Sequence, residues 1–142
     1  MGFSVSAAAA IIGVSLIIVL GSLTGNLLPS LTEGNDAFTN MKERALDRLQ
    51  TGIAIQNVST PANGSNYDLN FTVENIGSVT LEISYFTILI NGTRCPFICS
   101  SSYAYIENEV NLTITNLSGS GTRRLKVITG NGVADYYDYV IT

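Results

Sequence analysis

Residues 5–28 read VSAAAAIIGVSLIIVLGSLTGNLL and contain no charged side chain. A helix needs about 20 predominantly apolar residues to cross a bilayer, so this run is long enough to do so. A cleaved secretory signal would have a basic start and a shorter apolar core. The run therefore predicts a membrane-spanning or core-buried helix at the N-terminus. Glu33 is the first charged residue of the chain.

Small residues recur within the run at small-xxx-small spacing. Ala9 with Gly13 and Gly21 with Gly25 form two such pairs, and this spacing lets another helix backbone approach closely. We therefore predict a helix-packing interface at these four positions. The alternative is a lone membrane anchor in which Gly and Ala are merely tolerated. Pro29 lacks a backbone N–H, which predicts a kink or break of the helix there.

Beyond Pro29 the pattern becomes one-sided. Charged residues separate apolar ones that recur at three- and four-residue steps, namely Phe38, Met41, Ala45 and Leu49. This spacing is typical of an amphipathic helix, and Gly52 supplies a stop signal. The sequence thus divides into a hydrophobic helix and stalk, residues 1–51, and a second domain, residues 52–142.

The second domain has the period of two that is typical of β-strands. Seven short strands are predicted, at residues 53–58, 67–75, 79–90, 102–106, 110–117, 124–129 and 133–141. Asn91-Gly92 and residues 129–132 are predicted hairpin turns, because Asn and Gly accept positive φ. The fold class is α+β: a long N-terminal hydrophobic α-helix followed by an antiparallel, immunoglobulin-like β-sandwich.

The predicted sandwich domain carries six Asn-x-Ser/Thr sequons. They begin at Asn57, Asn63, Asn70, Asn91, Asn111 and Asn116. Such a density indicates extracellular exposure and N-glycosylation. The alternative is that the asparagines simply make polar strand faces.

Two cysteines, Cys95 and Cys99, enclose the tripeptide Pro-Phe-Ile. With no His and no further Cys, a four-ligand zinc site within one chain is disfavoured. A redox pair would favour Cys-x-x-Cys beside a βαβ pattern. A local disulfide is favoured, which would place the domain in an oxidising compartment. Two free, buried thiols are the alternative.

The composition argues against catalysis and against nucleic-acid binding. The chain has no His, and no nucleophile with a neighbouring base or phosphate-binding Gly loop is recognisable, so we expect no enzyme, cofactor or metal. The net charge is −4, whereas nucleic-acid binding usually needs a basic face. Arg123, Arg124 and Lys126 form a small basic patch, either solvated or a docking surface. The carboxylate pairs Glu107/Glu109 and Asp135/Asp138 are expected to be exposed charges rather than a Ca²⁺ site.

Two stretches resemble known families. An apolar N-terminal helix that continues as a stalk into a β-sandwich is the plan of archaeal type IV pilin-like proteins and archaellins. Residues 1–12, MGFSVSAAAAII, are similar to the archaellum protein F family. Residues 73–81, VENIGSVTL, resemble the N-x-G-S/T-x-x-L strand that this family shares with archaellins.

The resemblance implies a structural, non-catalytic subunit of an archaellum or type IV pilus-like filament, serving motility or adhesion. It would wait in the cell membrane, then polymerise with copies of itself through the N-terminal helix, with the glycosylated sandwich facing outward. The alternative is a protein F-type stator component, membrane-anchored, whose sandwich binds the surface-layer protein. Pilin-type processing would fall after Gly2, although only Met1 precedes it, where such leaders carry basic residues. A membrane-anchored carbohydrate- or metal-binding accessory is a third reading.

Overall fold

The computed structural model describes residues 2–141. The chain divides into two compact units, with the boundary between Glu43 and Arg44. The described residues of the first unit, 2–43, are helical, and the second unit comprises the end of the helix and the β-sandwich. The predicted boundary at residues 51–52 coincides with the change of secondary structure. The compact unit around the sandwich also takes in the last helical residues.

Helical residues run without interruption from Gly2 to Gln50. They comprise α1 (Gly2–Ser22), a π-helical turn (Leu23–Leu27) and α2 (Leu28–Gln50). Of the predicted kink or break at Pro29, the break is wrong, and the kink stays a prediction. The π turn ends two residues before the proline, and such a turn changes the hydrogen-bonding step near the position that lacks an N–H. Gly25, four residues before Pro29, has no Cβ, which leaves space beside the carbonyl that a proline ring crowds.

Two sheets form the sandwich. Sheet I has the order β1-β3-β9-β7, with β2 paired to β3, and sheet II has the order β11-β10-β5-β6. A short pair, β4-β8, completes the domain. The strands are β1 (Ile53–Ser59), β2 (Ala62–Asn63), β3 (Asn66–Asn75), β4 (Leu81–Glu82), β5 (Thr87–Ile90), β6 (Thr93–Cys95), β7 (Ile98–Cys99), β8 (Tyr103–Ala104), β9 (Glu109–Leu117), β10 (Gly121–Ile128) and β11 (Ala134–Ile141).

Alternate residues of both sheets meet in one apolar core. On β3 the residues Leu69, Phe71 and Val73 are buried in the core, whereas the alternating polar residues are half-buried, apart from the buried Thr72. The inward residues of β5, β9 and β10 cover them, including Ile88, Leu112, Leu125 and Val127. Every strand pairing is antiparallel. The predicted fold class, an immunoglobulin-like antiparallel sandwich after a long helix, is confirmed.

The predicted strand at residues 79–90 is divided. A 3₁₀ turn, Ile83–Tyr85, separates β4 from β5 and buries the side chain of Ile83 in the core. Strands β2, β6 and β7 were not predicted, because two or three residues are too few to show a period.

Both predicted hairpin turns are present. Asn91 and Gly92 have φ of 48° and 85°, the positive values of a two-residue type I′ turn between β5 and β6. Between β10 and β11 the Thr129 N–H donates to Val133 O over 2.8 Å, and Gly132 adopts φ of 82°.

Candidate functional site

The N-terminal helix has no buried residue in α1 or α2, although its first half is almost wholly apolar. Ile11 is 68% exposed and Ile17 is 70% exposed. The helix is long and apolar enough to cross a membrane by length and composition. Exposed apolar surface of this extent is unfavourable in water and marks an interaction site.

Hydroxyl groups on this helix bond to its own backbone. Ser15 Oγ donates to Ile11 O over 2.8 Å, Ser22 Oγ to Ile18 O over 3.0 Å, and Thr24 Oγ1 to Leu20 O over 3.1 Å. Unsatisfied polar groups are costly in hydrocarbon, so these internal bonds suit the helix to an apolar environment.

The two small-residue pairs lie on different sides of the helix. Ala9 and Gly21 are twelve residues apart, which is a rotation of about 120° beyond whole turns in an α-helix. A Cβ added at Gly13, Gly21 or Gly25 would meet nothing within 4 Å. No contact within the chain therefore requires glycine at these three positions. Each glycine nevertheless destabilises the helix by about 1 kcal/mol relative to alanine. The helix-packing interface stays a prediction, now with two faces instead of one.

Gly2 begins α1. Processing after this residue stays a prediction, and Met1 lies outside the described residues.

The loop that carries the N-x-G-S motif holds the end of α2. The N–H groups of Ile76 and Gly77 donate to Gly52 O over 3.0 and 3.1 Å, and the Ser78 N–H donates to Gln50 O over 2.8 Å. These bonds satisfy carbonyl groups at the helix C-terminus that have no intrahelical partner. Because the loop sits directly after β3, it joins the helix end to sheet I.

Asn75 and Gly77 have distinct tasks in this loop. The fully buried Asn75 amide donates to Val79 O and Ala104 O over 2.8 and 2.9 Å, and its Oδ1 accepts from the Gly77 N–H over 3.1 Å. A Cβ on Gly77 would lie 2.4 Å from Gln50 O, so only glycine lets the two backbones meet. The N-x-G-S motif, which carries the family resemblance, thus binds the end of α2 to the sandwich.

A second contact holds the same helix end. Asn131, in the turn between β10 and β11, donates from Nδ2 to Thr51 Oγ1 over 2.6 Å. Thr51 Oγ1 in turn donates to Asp47 O over 2.7 Å.

Five of the six sequon asparagines lie on strands of sheet I, and the sixth, Asn91, lies in the turn between β5 and β6 of sheet II. Five are exposed and Asn70 is half-buried. Asn57, Asn91 and Asn116 adopt positive φ, a conformation that Asn tolerates better than most residues. Backbone geometry thus supplies a reason for Asn at three of the six positions. Glycosylation stays a prediction at all of them.

Cys95 and Cys99 are not bonded to each other in this structure, and the disulfide between them stays a prediction. Cys95 is half-buried on β6 of sheet II, while Cys99 is exposed on β7 of sheet I. The intervening residues cross from one sheet to the other, so each cysteine follows the register of a different sheet. Cys95 pairs with Ile88, and Cys99 pairs with Leu112.

The predicted carboxylate pairs are not joined into one site. Asp135 Oδ2 accepts from the Ile55 N–H over 2.8 Å, and Asp138 forms an ion pair with Arg124. Glu107 lies in a turn, while Glu109 is on β9 opposite Glu74. Among residues 2–141, no three His, Cys, Asp or Glu side chains are placed to hold a metal ion.

The basic residues of the sandwich gather on sheet II. All four Lys and Arg after residue 53 lie on β6 or β10, at Arg94, Arg123, Arg124 and Lys126. The predicted patch is divided by strand alternation. Arg124 and Lys126 share the outer face, while Arg123 pairs with the buried Tyr139 on the other face.

The outer face of sheet II forms a shallow groove. Arg124 makes a bidentate pair with Asp138, with Nε–Oδ1 and Nη2–Oδ2 distances of 2.7 and 2.8 Å. The hydrogen bonds and charge of Arg124 lower the pKa of Asp138, and Asp138 raises the pKa of Arg124, so both stay ionised. Lys126 Nζ lies 4.9 Å from the centroid of the Tyr136 ring, a cation–π contact.

Tyr67 and Tyr139 form a buried pair at one side of the core. The hydroxyls of Tyr67 and Tyr139 are 3.0 Å apart, and both side chains are buried. Burial raises the pKa of Tyr139, and the bond to Tyr67 raises it further.

The sandwich is an immunoglobulin-like domain built of two antiparallel sheets. It is similar to the archaellum periplasmic stator protein FlaG from Sulfolobus acidocaldarius, with a TM-score of 0.53 and 16% sequence identity. The similarity covers 63% of this chain and 99% of FlaG. A CARDB domain from Pyrococcus furiosus, solved in complex with di-metal ions, aligns with a TM-score of 0.42 and 14% identity, over 65% of this chain and 89% of that domain. No protein-family model and no curated protein sequence matches the chain.

Proposed function

We propose that this chain is a membrane-anchored, non-catalytic structural component of an archaellum-type assembly at an archaeal cell surface. The observation that carries the proposal is the helix from Gly2 to Gln50, whose apolar first half is uncovered by the rest of the described chain. Such a surface is stable only in lipid or against other apolar helices. The sandwich would then lie outside the cytoplasmic membrane.

Within that assembly, a stator role is the first candidate. The chain aligns with nearly the whole of a solved chain that is described as an archaellum periplasmic stator protein. In this role the helix would stay in the membrane and the sandwich would hold the surface-layer protein or a neighbouring component. The docked end of α2, fixed by residues 76–78, suits a part that must transmit force between membrane and sandwich.

A filament subunit is the second candidate, and the helix glycines favour it. Gly13, Gly21 and Gly25 make no contact within the chain that requires glycine. Two small-residue faces about 120° apart would let one helix contact two neighbours, as the core of a helical polymer requires. The helix would exchange lipid for neighbouring helices, and the sandwich would face outward.

Stoichiometry separates the two candidates. Surface filaments and the membrane fraction would be purified from the same cells, and this chain quantified in each by mass spectrometry. A stator component stays with the membrane and is absent or at trace level in filaments. A filament subunit is a major filament component. A chain recovered only as a dispersed, soluble monomer would overturn both candidates.

A pair of helix variants tests the packing faces. Gly13→Leu with Gly21→Leu fills both grooves and leaves the helix apolar, so membrane insertion is retained. If helix packing drives assembly, this variant fails to enter filaments or helix-mediated complexes. Ile12→Leu with Val19→Leu is the matched control, because both residues lie at least about 60° around the helix from either groove. Equal behaviour of the two variants would contradict a packing role for these glycines.

A further inference from the structure

The groove on the outer face of sheet II has the dimensions of a ligand site. Its volume is about 540 Å³, within the roughly 300–1,000 Å³ of small-molecule sites. Lys126 and Tyr136 lie on paired strands in direct register, and the Arg124–Asp138 pair lies two residues further along the same strands. The hairpin turn at Asn91 borders the groove and is fixed to β10, since Asn91 Oδ1 accepts from the Arg124 N–H over 2.9 Å.

Charge on this face is reversed relative to the rest of the chain. Arg94, Arg124 and Lys126 share the face with one carboxylate, Asp138, although the whole chain has a net charge of −4. Sheet I has no Lys or Arg on its strands. An anionic ligand is therefore attracted to sheet II at short range, over about the 8 Å of the physiological Debye length.

Donors, acceptors and an aromatic face lie side by side in the groove. The pair with Asp138 uses two of the five N–H donors of the Arg124 guanidinium, and the Asp138 oxygens keep further acceptor capacity. This combination matches the adjacent hydroxyls of a sugar, which both donate and accept. The Tyr136 ring is 54% exposed and offers a flat surface to the C–H face of a pyranose.

We propose that this groove binds a carboxylate-bearing saccharide, such as a hexuronate unit of an acidic surface glycan. Lys126 holds the carboxylate, the Arg124–Asp138 pair holds ring hydroxyls, and Tyr136 supports the ring. The binding does not depend on whether the chain is a stator component or a filament subunit.

Carboxylates of a second copy fit this groove less well. Sheet I has three acidic side chains on its strands. Glu74 and Glu109 face each other in register on a regular strand surface, and Asp68 Oδ1 accepts from Asn63 Nδ2 and from the Asn116 N–H. Glu74 is also held by a hydrogen bond from Gln56 Nε2. Side chains held on a strand face do not enter a concave site as a mobile glycan does.

Titration calorimetry with the full chain in an uncharged detergent tests the proposal. The probe is an oligogalacturonate, and a neutral malto-oligosaccharide of equal length is the control ligand. We expect the acidic probe to bind at least about tenfold more tightly, because charge-assisted hydrogen bonds form only with its carboxylates. Added salt should weaken this binding. Equal binding of the two sugars, or no binding of either, would overturn the proposal.

Variants with matched charge locate the site. Lys126→Gln removes one cation from the groove and leaves the Arg124–Asp138 pair intact. Lys42→Gln makes the same charge change on the helix. The groove variant should lose about tenfold in affinity, whereas the helix variant should change less than about twofold. Equal losses would mean non-specific attraction and overturn the site. Self-association of the wild type that the groove variant abolishes would instead assign the face to a second copy.

Discussion

Replacing Asn75 by Asp changes one atom at the centre of the helix-docking loop. The Asn75 amide donates to two buried carbonyl oxygens, of Val79 and Ala104, and its Oδ1 accepts from the Gly77 N–H. Asp keeps the shape and the acceptor. It loses both donors and, when ionised, places a carboxylate against two carbonyl oxygens with no exposure to solvent.

The magnitude follows from these three contacts. Each unsatisfied buried polar group costs about 1–3 kcal/mol, and an uncompensated buried charge costs about 3–5 kcal/mol. At pH 7 we therefore expect Asn75→Asp to lower the free energy of unfolding by about 3–5 kcal/mol. The protonated acid can donate one O–H, so at low pH the loss falls to about 1–2 kcal/mol.

The pH dependence has a definite sign. Burial against carbonyl oxygens raises the pKa of the introduced Asp above the roughly 3.9 of the unfolded chain. Because the pKa of this carboxyl is higher in the folded state, its protonation stabilises the folded state at pH values below the unfolded pKa. That stabilisation is lost as the pH rises through the folded-state pKa. The difference between variant and wild type should therefore be smallest near pH 4 and grow towards neutrality.

Urea unfolding of the full chain in detergent, followed by near-ultraviolet circular dichroism, measures the effect at pH 4 and pH 7. Asn108→Asp is the control, because Asn108 is exposed and its Oδ1 only accepts, from the Glu109 N–H over 2.9 Å. It should change stability little at either pH. A loss below about 1 kcal/mol for Asn75→Asp at pH 7, or an equal loss at both pH values, would refute the reasoning.

Three further predictions concern other parts of the second unit. Gly77→Ala should lower the free energy of unfolding by about 1–3 kcal/mol in the same assay, because the added Cβ would clash with backbone atoms at the end of the helix. In the control, Gly34→Ala, the added Cβ has no atom within 4 Å, so the free energy of unfolding should not fall. Burial raises the pKa of Tyr139, so this tyrosine should ionise only when the protein unfolds. The free energy of unfolding should therefore decrease above about pH 10, and Tyr139→Phe should make this decrease smaller. Phenolate absorbance during an alkaline titration measures tyrosine ionisation. Ionisation of all seven tyrosines before the protein unfolds would contradict the prediction. A thiol reagent should label Cys99 faster than Cys95 without prior reduction, and a reductant should leave the melting temperature unchanged. Labelling only after reduction would establish the disulfide instead.

The sequence was sufficient for the architecture because the decisive signals are local. An uncharged run of helical length and a change of period at Ile53 depend on neighbouring residues, and they predicted the helix and the sandwich. The hairpin turn at Asn91-Gly92 was predictable for the same reason, since positive φ is a property of those two residues. Continuity across Pro29 was not, because a π turn is an adjustment of backbone geometry with no composition of its own.

The candidate sites depended on pairings between distant residues. Asn75 reads as one more polar residue at the end of a strand, and only packing against Val79 and Ala104 makes it a buried anchor. Cys95 and Cys99 are close in sequence, yet they lie in opposite sheets.

By itself, then, the sequence determined that an apolar helix leads into a two-layer β domain of acidic net charge. The tertiary structure alone decided that Arg94, Arg124 and Lys126 share one face, because this requires the register of β5, β6 and β10. A shift of one residue in any of these pairings would turn a side chain to the opposite face. Register is fixed by burial of the core across both sheets, and no local stretch of sequence contains that information.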